Sequence, residues 1–175
     1  MPRSVQYELY LRSATPLDAP TLRNWDRKAH VVAARGNDGD MDWESELPRH
    51  VAWRELLIAE LHGRPVGFVQ IIDAALEETH YWGNAEPDLR AVDFWLGEES
   101  DLGRGYSTRI MHLVIDRCFS DEAVRAIIID PLASNTRAHS FYERLGFRSV
   151  ERRRFGDDDC VVYRLERDGW QASPR

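Results

Sequence analysis

The chain has 175 residues, 43% hydrophobic and 30% charged, the balance of a single globular domain, 1–175, able to bury a core. Its formal net charge of −7 argues against nucleic acid as a partner. No apolar run approaches the roughly 20 residues that cross a membrane, and Met1 to Gln6 lacks the apolar segment of a secretory signal.

Val5 to Arg12 alternates and stops at a Pro/Asp turn, which predicts a strand. Pro16 to Ala34 carries Leu17, Leu22, Trp25, His30 and Val31 at helical spacing. Arg35 to Trp43 is rich in Gly and Asp and reads as a loop; Glu44 to His50 reads as a short helix broken at Pro48. Arg54 to Leu61 and Val66 to Asp73, joined by His62-Gly63-Arg64-Pro65, predict a hairpin. Ala74 to Leu89 is acidic, carries His80, Tyr81 and Trp82, and reads as an excursion from the sheet. Arg90 to Gly97 predicts a strand, and Tyr106 to Phe119 a helix with Ile110, Met111, Leu113, Val114, Arg117 and Cys118 giving a mainly apolar face. Ala123 to Ile129 is a β-branched run typical of a buried strand, and Asn135 to Leu145 a helix ending at Gly146. Phe147 to Phe155 and Cys160 to Glu166 predict a last hairpin, with a polar tail at 167–175. This order predicts a mixed sheet with helices on its faces.

The two cysteines, Cys118 and Cys160, fall in apolar stretches and make no metal pattern, and no His/Cys/Asp cluster has metal-ligand spacing. A reduced, cytoplasmic protein is the expectation. Acids are unevenly spread: nine lie between Asp73 and Asp101 against one base, Arg90, and five lie between Asp38 and Glu46 with no base. Such segments are either a solvated face or a site that attracts a cation by focusing its field.

Asp101-Leu102-Gly103-Arg104-Gly105-Tyr106-Ser107-Thr108 joins the strand at Arg90 to the helix at Tyr106. Small residues at a strand-to-helix turn let backbone N–H groups approach an anion at the positive end of the new helix. Twenty-two residues beyond Thr108 comes Asp130-Pro131-Leu132-Ala133-Ser134-Asn135-Thr136-Arg137-Ala138, running into Phe141-Tyr142-Glu143-Arg144-Leu145-Gly146-Phe147.

These two stretches, in this order, resemble the GNAT superfamily of N-acetyltransferases. Leu102 to Ser107 matches that family's pyrophosphate loop, with Leu102 in place of the usual polar first residue and Ser107 in place of the usual last Gly or Ala. Within the superfamily the chain is similar to the aminoglycoside 6'-N-acetyltransferases. Phe68-Val69-Gln70, the acidic Trp-containing segment Glu77 to Asp88, Leu89-Arg90-Ala91-Val92-Asp93, Asp130-Pro131, Asn135, Ala138, Tyr142-Glu143 and Gly146-Phe147 carry the match. Siderophore-type lysine acetyltransferases share much of this layout.

The resemblance implies an α/β (α+β) fold: a mixed, mostly antiparallel central sheet of six to seven strands flanked by about four helices. It implies an acetyl-CoA-dependent transferase acting on a primary amine of a cationic small molecule, aminoglycoside-like first, and hence a role in antibiotic resistance. The alternatives are a protein N-terminus, lysine or hydroxylysine-type siderophore precursor as acceptor, or a non-catalytic acyl-CoA-binding module. The expected partners are acetyl-CoA and the amine, with no metal, nucleic acid or membrane, in a monomer or homodimer.

For the coenzyme the expected contacts are Gly103, Arg104, Gly105, Tyr106, Ser107 and Thr108 at the turn, with Arg104 and Arg109 adding charge-assisted contacts. Asn135 and Ala138, and the backbone of Phe94, Trp95 and Leu96 on a splayed strand, complete that set. An alkyl ammonium, with a reference pKa near 10, must lose a proton before it attacks. Asp93 is the candidate base or amine anchor, because it lies within Val92-Asp93-Phe94-Trp95-Leu96 on the face shared with Trp95. Tyr142 is the candidate acid for the departing thiolate. The plain alternatives are a hydrogen-bonded structural aspartate and a packed core tyrosine. Asn135 is an N-cap first and a pantetheine contact second. Trp25, Trp43, Tyr81 and Trp82 are candidate substrate walls, with a place in the core, the commoner one for single aromatics, as the alternative, and Glu86, Asp130 and Asp158 are candidate partners for the acceptor's charges. His30 and His80 read as structural.

Overall fold

Two runs are buried almost along their whole length, β3 (Arg64–Asp73) and β5 (Ala126–Ile129), as strands covered on both faces must be. They sit at the middle of one seven-stranded sheet in the computed structural model, which describes residues 9–171. The other strands are β1 (Leu9–Ser13), β2 (Arg54–Leu61), β4 (Leu89–Leu96), β6 (Arg148–Phe155) and β7 (Asp158–Glu166). Their order is β1-β2-β3-β4-β5-β7-β6, and only β4 and β5 run parallel. The sheet is thus mixed and mostly antiparallel, as expected. The expected first strand is seen from Leu9; its residues 5–8 lie outside the described residues.

The helices are α1 (Ala19–Asp26), α2 (Ala29–Arg35), α3 (Trp43–Glu46), α4 (Tyr106–Phe119), α5 (Thr136–Arg144) and α6 (Arg167–Gln171). Among the described residues none is long and apolar enough to cross a membrane. On one face of the sheet, Ile110, Met111, Val114, Ile115 and Cys118 of α4 pack onto the central strands. Arg117, placed on that helix's apolar face by its spacing, instead points to Glu55 of β2. On the other face, Leu22, Trp25, Trp43 and Leu47 close over Ile58 and Phe68.

Three elements differ from the periodicity. The helix expected from Pro16 to Ala34 is a 3-10 turn at Pro16–Asp18, then α1 and α2, broken where Lys28 turns extended (φ −70°, ψ 133°). The break brings α2 back across α1, so that Arg35 Nη1 reaches the buried Asp26 Oδ1 at 2.7 Å and His30 reaches β4. The short helix expected at Glu44 to His50 is α3, which starts at Trp43 and stops before Pro48, a residue with no N–H for another turn. The segment expected as a polar tail begins with α6. There Trp170 is buried and donates to Asp116 of α4 at 2.9 Å, while the Arg167 guanidinium donates to the carbonyls of Phe119, the last residue of α4, and of Asp121 and Val124 beyond it.

One feature of the topology positions the site. β4 pairs with β5 only from Leu89 to Ala91, yet stays on β3 as far as Leu96. β5 ends at Ile129, follows β7, and is stopped by Asp130-Pro131. Beyond Ala91 the two halves of the sheet part, and a wedge opens between β4 and β5.

Candidate active site

A cleft of about 970 Å3 fills that wedge. Its β4 wall follows from strand alternation. The Ala74 N–H donates to the Leu89 carbonyl (3.4 Å) and the Gly97 N–H to the Val66 carbonyl (3.0 Å), so main-chain groups at odd positions from 89 to 97 face β3. Those of Val92, Phe94 and Leu96 therefore face the wedge. The Leu96 carbonyl accepts from His30 Nε2 at 2.9 Å, which leaves the Phe94 and Leu96 amides directed at the cleft. The Trp95 amide turns the other way. Its ring contributes instead, tilted on Phe68 at 4.7 Å with the Arg35 guanidinium 5.0 Å above it.

Asp93 lies on the same face of β4 as Trp95 and lines the cleft. It stands opposite Gln70 of β3, whose Nε2 donates to Asp93 Oδ2 at 2.8 Å. Burial pushes the Asp93 carboxyl up; the Gln70 hydrogen bond and Arg35 pull the other way. Across the wedge, Asp130 follows β5 and accepts from the Tyr81 hydroxyl at 2.6 Å. Burial, and then the Asp93 charge, push Asp130 up to about 8. Asp38, from the loop after α2, is also raised, by partial removal from water and by the charge of Asp158. Asp38 also raises Asp93, and Asp93 and Asp38 both raise Asp130, so three carboxyls from three parts of the chain lie within electrostatic range.

Tyr142 of α5 also lines the cleft, edge-on to Phe147 at 5.7 Å. Burial and the charges of Asp93 and Asp130 raise its phenol well above the usual tyrosine range, so it keeps its proton at neutral pH. Asn135 is the N-cap of α5: its Oδ1 accepts from the Ala138 N–H at 3.2 Å, and both residues face the cleft.

At the far end the cleft meets the start of α4. Gly105 is its N-cap with φ 78°, a left-handed conformation that favours glycine, and no side chain caps the helix. No atom lies within 4 Å of where a Cβ would stand on Gly103 or Gly105. Gly103, Gly105, Ser107 and Thr108 line this end. The arrangement suits an anion held by main-chain N–H groups.

Other expected residues are placed differently. Arg104 is exposed and donates to the Ser100 carbonyl at 2.7 Å, Arg109 is exposed, and Tyr106 packs on the core, so none lines the cleft. Trp25 is a core residue, 2% exposed, with its ring against the main chain of Gly97. Trp43 is buried too, edge-on to Phe68 and donating to Asp26 at 2.5 Å. Aromatic residues at helical spacing serve a core and a pocket wall alike, and here burial against the sheet won. Glu86 is exposed and faces Arg164 at 3.5 Å, away from the cleft. Tyr81 and Trp82 do line it, Tyr81 stacked on Phe155 at 4.5 Å. Asp158 lines it with both carboxylate oxygens taken by Asn37. His80 sits in a left-handed turn (φ 55°).

Several cleft residues were not singled out, among them Gln70, Arg137, Arg144 and Arg35, and Asp38 was seen only as part of an acidic segment. Gln70 was legible only as the ladder partner of Asp93. Arg137 and Arg144, seven apart on α5, carry a helical signal beside Ala138. Arg35 carries none, because its place depends on the break at Lys28. Among the described residues no group of three or more His, Cys, Asp or Glu is placed to hold a metal.

Amides facing a wedge, an uncapped helix start and facing carboxyls define a class of site suited to acyl transfer from a phosphate-bearing donor to an amine. The family profile described as Acetyltransferase (GNAT) domain matches residues 15–155. The aminoglycoside N(6')-acetyltransferase type 1 of Klebsiella pneumoniae is 32% identical over 146 residues, 78% of this chain and 72% of that one. The lysine N-acyltransferase MbtK of Mycobacterium tuberculosis is 24% identical over 169 residues, 89% of this chain and 76% of that one. A solved structure of AAC(6')-Ib in complex with paromomycin and acetyl-CoA has a TM-score of 0.86 at 28% identity, covering 96% of this chain and 98% of that one. The chain belongs to the GNAT acetyltransferase family. It is an N-acetyltransferase of that family, whose members draw the acetyl group from acetyl-CoA.

Proposed function

We propose that this enzyme acetylates a primary amine of a polycationic small molecule, an aminoglycoside-like one first. The observation that carries this reading is the set of facing carboxyls, Asp38, Asp93 and Asp130, offset in the cleft by Arg35. Raised carboxyls are costly to ionise where they stand, and a bound ammonium removes that cost. The match to an aminoglycoside acetyltransferase over most of both chains supports the same acceptor.

Acetyl-CoA fits the opposite end. Free amides at Gly103 to Thr108 would hold its diphosphate, with Arg137 and Arg144 near enough on α5 to add charge. The Phe94 and Leu96 amides would face the thioester oxygen and stabilise the negative charge that develops there. Asp93 anchors the ammonium and takes its proton, directly or through water, so that the neutral amine attacks the carbonyl carbon. Tyr142, held protonated, gives a proton to the sulfur as the C–S bond breaks, and the second proton of the attacking nitrogen passes to the phenolate this leaves. The result is an amide and a free thiol.

The test is thiol release with aminoglycosides, spermidine, lysine and a lysine peptide, in wild type and Asp93→Asn. Aminoglycosides and the polyamine should give the higher kcat/KM, with turnover in Asp93→Asn down by about 10²-fold or more. Turnover of the lysine peptide alone would overturn the acceptor reading. Coenzyme binding with no amine turned over would overturn the catalytic one.

A further inference from the structure

Asp158 opens β7 on one side of the wedge; the loop from Gly36 to Asp42 leaves α2 on the other. The two are joined. Asp158 Oδ2 accepts the Asn37 backbone N–H at 2.9 Å and Oδ1 accepts Asn37 Nδ2 at 2.8 Å, across 121 residues of sequence. Asp158 is 9% exposed and begins directly after the Gly156-Asp157 turn, so it cannot swing far without disturbing the hairpin.

Residue 36 is shaped for this contact. Gly36 has φ 65° and ψ −131°, a region open essentially to glycine. A Cβ there would stand 2.8 Å from both Asp158 oxygens. At the same end of the loop the Arg35 guanidinium donates to the Gly39 carbonyl and to Asp26. The loop is therefore held as a strap between the α2 and β7 walls, and Asp38 is the residue next to the clamp. Asp38 lines the cleft within electrostatic range of Asp93 and Asp130.

We propose that Asp158 is a positioning residue: by clamping Gly36 and Asn37 it sets Asp38 opposite Asp93 and so selects acceptors that carry a second ammonium group. This rests on the cationic acceptor proposed above. An Asp158 whose oxygens are both occupied by Asn37 does not meet the substrate; it acts through the hydrogen bonds that hold the strap.

The decisive variants separate the clamp from the charge. Asn37→Ala and Gly36→Ala weaken the strap and leave the Asp158 carboxylate in place. Asp158→Asn removes the charge and keeps an oxygen for the Asn37 N–H, whereas Asp158→Ala removes both. The readouts are KM and kcat for a diamine and for a matched monoamine, with hydrogen exchange across residues 36–42. Asn37→Ala, Gly36→Ala and Asp158→Ala should each raise the diamine KM about tenfold, with kcat and the monoamine KM within about twofold, and should speed exchange in the strap. Asp158→Asn should keep most of the diamine preference. If Asn37→Ala leaves the diamine KM unchanged, or if Asp158→Asn loses as much as Asp158→Ala, the carboxylate contacts the acceptor itself and the proposal is overturned. Calorimetry with acetyl-CoA alone keeps the two readings apart, because failed coenzyme binding in wild type would count against the proposed function rather than the strap. Should Gly36→Ala fail to fold, Asn37→Ala carries the test.

Discussion

Gln70 and Asp93 face each other directly across the β3–β4 ladder, and the Gln70 amide donates to the Asp93 carboxylate at 2.8 Å. That bond favours the ionised form, while burial favours the neutral one. Replacing Gln70 by Leu removes the larger of the two opposing influences and leaves Arg35, so the Asp93 carboxyl rises further. The acid limb of the kcat/KM profile against pH should move to higher pH, and kcat/KM at pH 6 should fall by about 10-fold or more. Profiles for wild type and Gln70→Leu that superpose would mean that the amide does not tune the base.

Asp130 should report acceptor binding through protons. Its folded-state value of about 8 lies above the unfolded 3.8, so near pH 7 the free enzyme holds a proton there that a bound ammonium displaces. Calorimetry in buffers of different ionisation enthalpy should show proton release approaching one per acceptor at pH 7, clearly reduced in Asp130→Asn. The sign for stability follows. A carboxyl raised by folding keeps its proton in the native state and loses it in the unfolded one, so stability falls as pH climbs from about 4 to about 8. The thermal midpoint of wild type should drop more steeply over that window than that of Asp130→Asn.

Gly105→Ala should separate coenzyme binding from folding. The residue sits at φ 78° with open space around it, so a methyl group costs only the left-handed strain, about 1 kcal/mol. The same methyl stands where main chain and diphosphate are expected to approach. Acetyl-CoA affinity by calorimetry should fall at least tenfold while the thermal midpoint moves by only about 2–4 °C. An unchanged affinity would remove the turn from the coenzyme site.

The parts of this site that could be read along the chain are local ones. The turn at Gly103 to Thr108, the α5 cap at Asn135 and the last hairpin depend on residues a few positions apart, and periodicity and turn chemistry report such spacings. Asp93 was legible for a related reason: an acid within an apolar strand needs an explanation. The wedge itself depends on where β4 leaves β5, a pairing between residues about 37 apart. Trp25 and Trp43, open to either reading in the sequence, are core residues, because their spacing is the same whether a helix faces a pocket or the sheet. Asp158 was legible as an acid near the cleft, but its engagement by Asn37 follows from the fold alone.

The buried Trp25 makes its own prediction. A Cβ on Gly97 would lie 1.9–2.3 Å from three atoms of the Trp25 indole, well inside contact distance. The ring has little room to yield: it is 2% exposed and its Nε1 donates to Glu98 at 3.1 Å. Gly97→Ala should therefore overpack this side of β4, costing about 1–3 kcal/mol, or about 2–12 °C in the thermal midpoint. Trp25→Leu, which opens a cavity, should be destabilising alone. Combined with Gly97→Ala, however, the smaller leucine makes room for the new methyl, so the double variant should lose clearly less than the sum of the two. Strict additivity would show that ring and strand are not in contact.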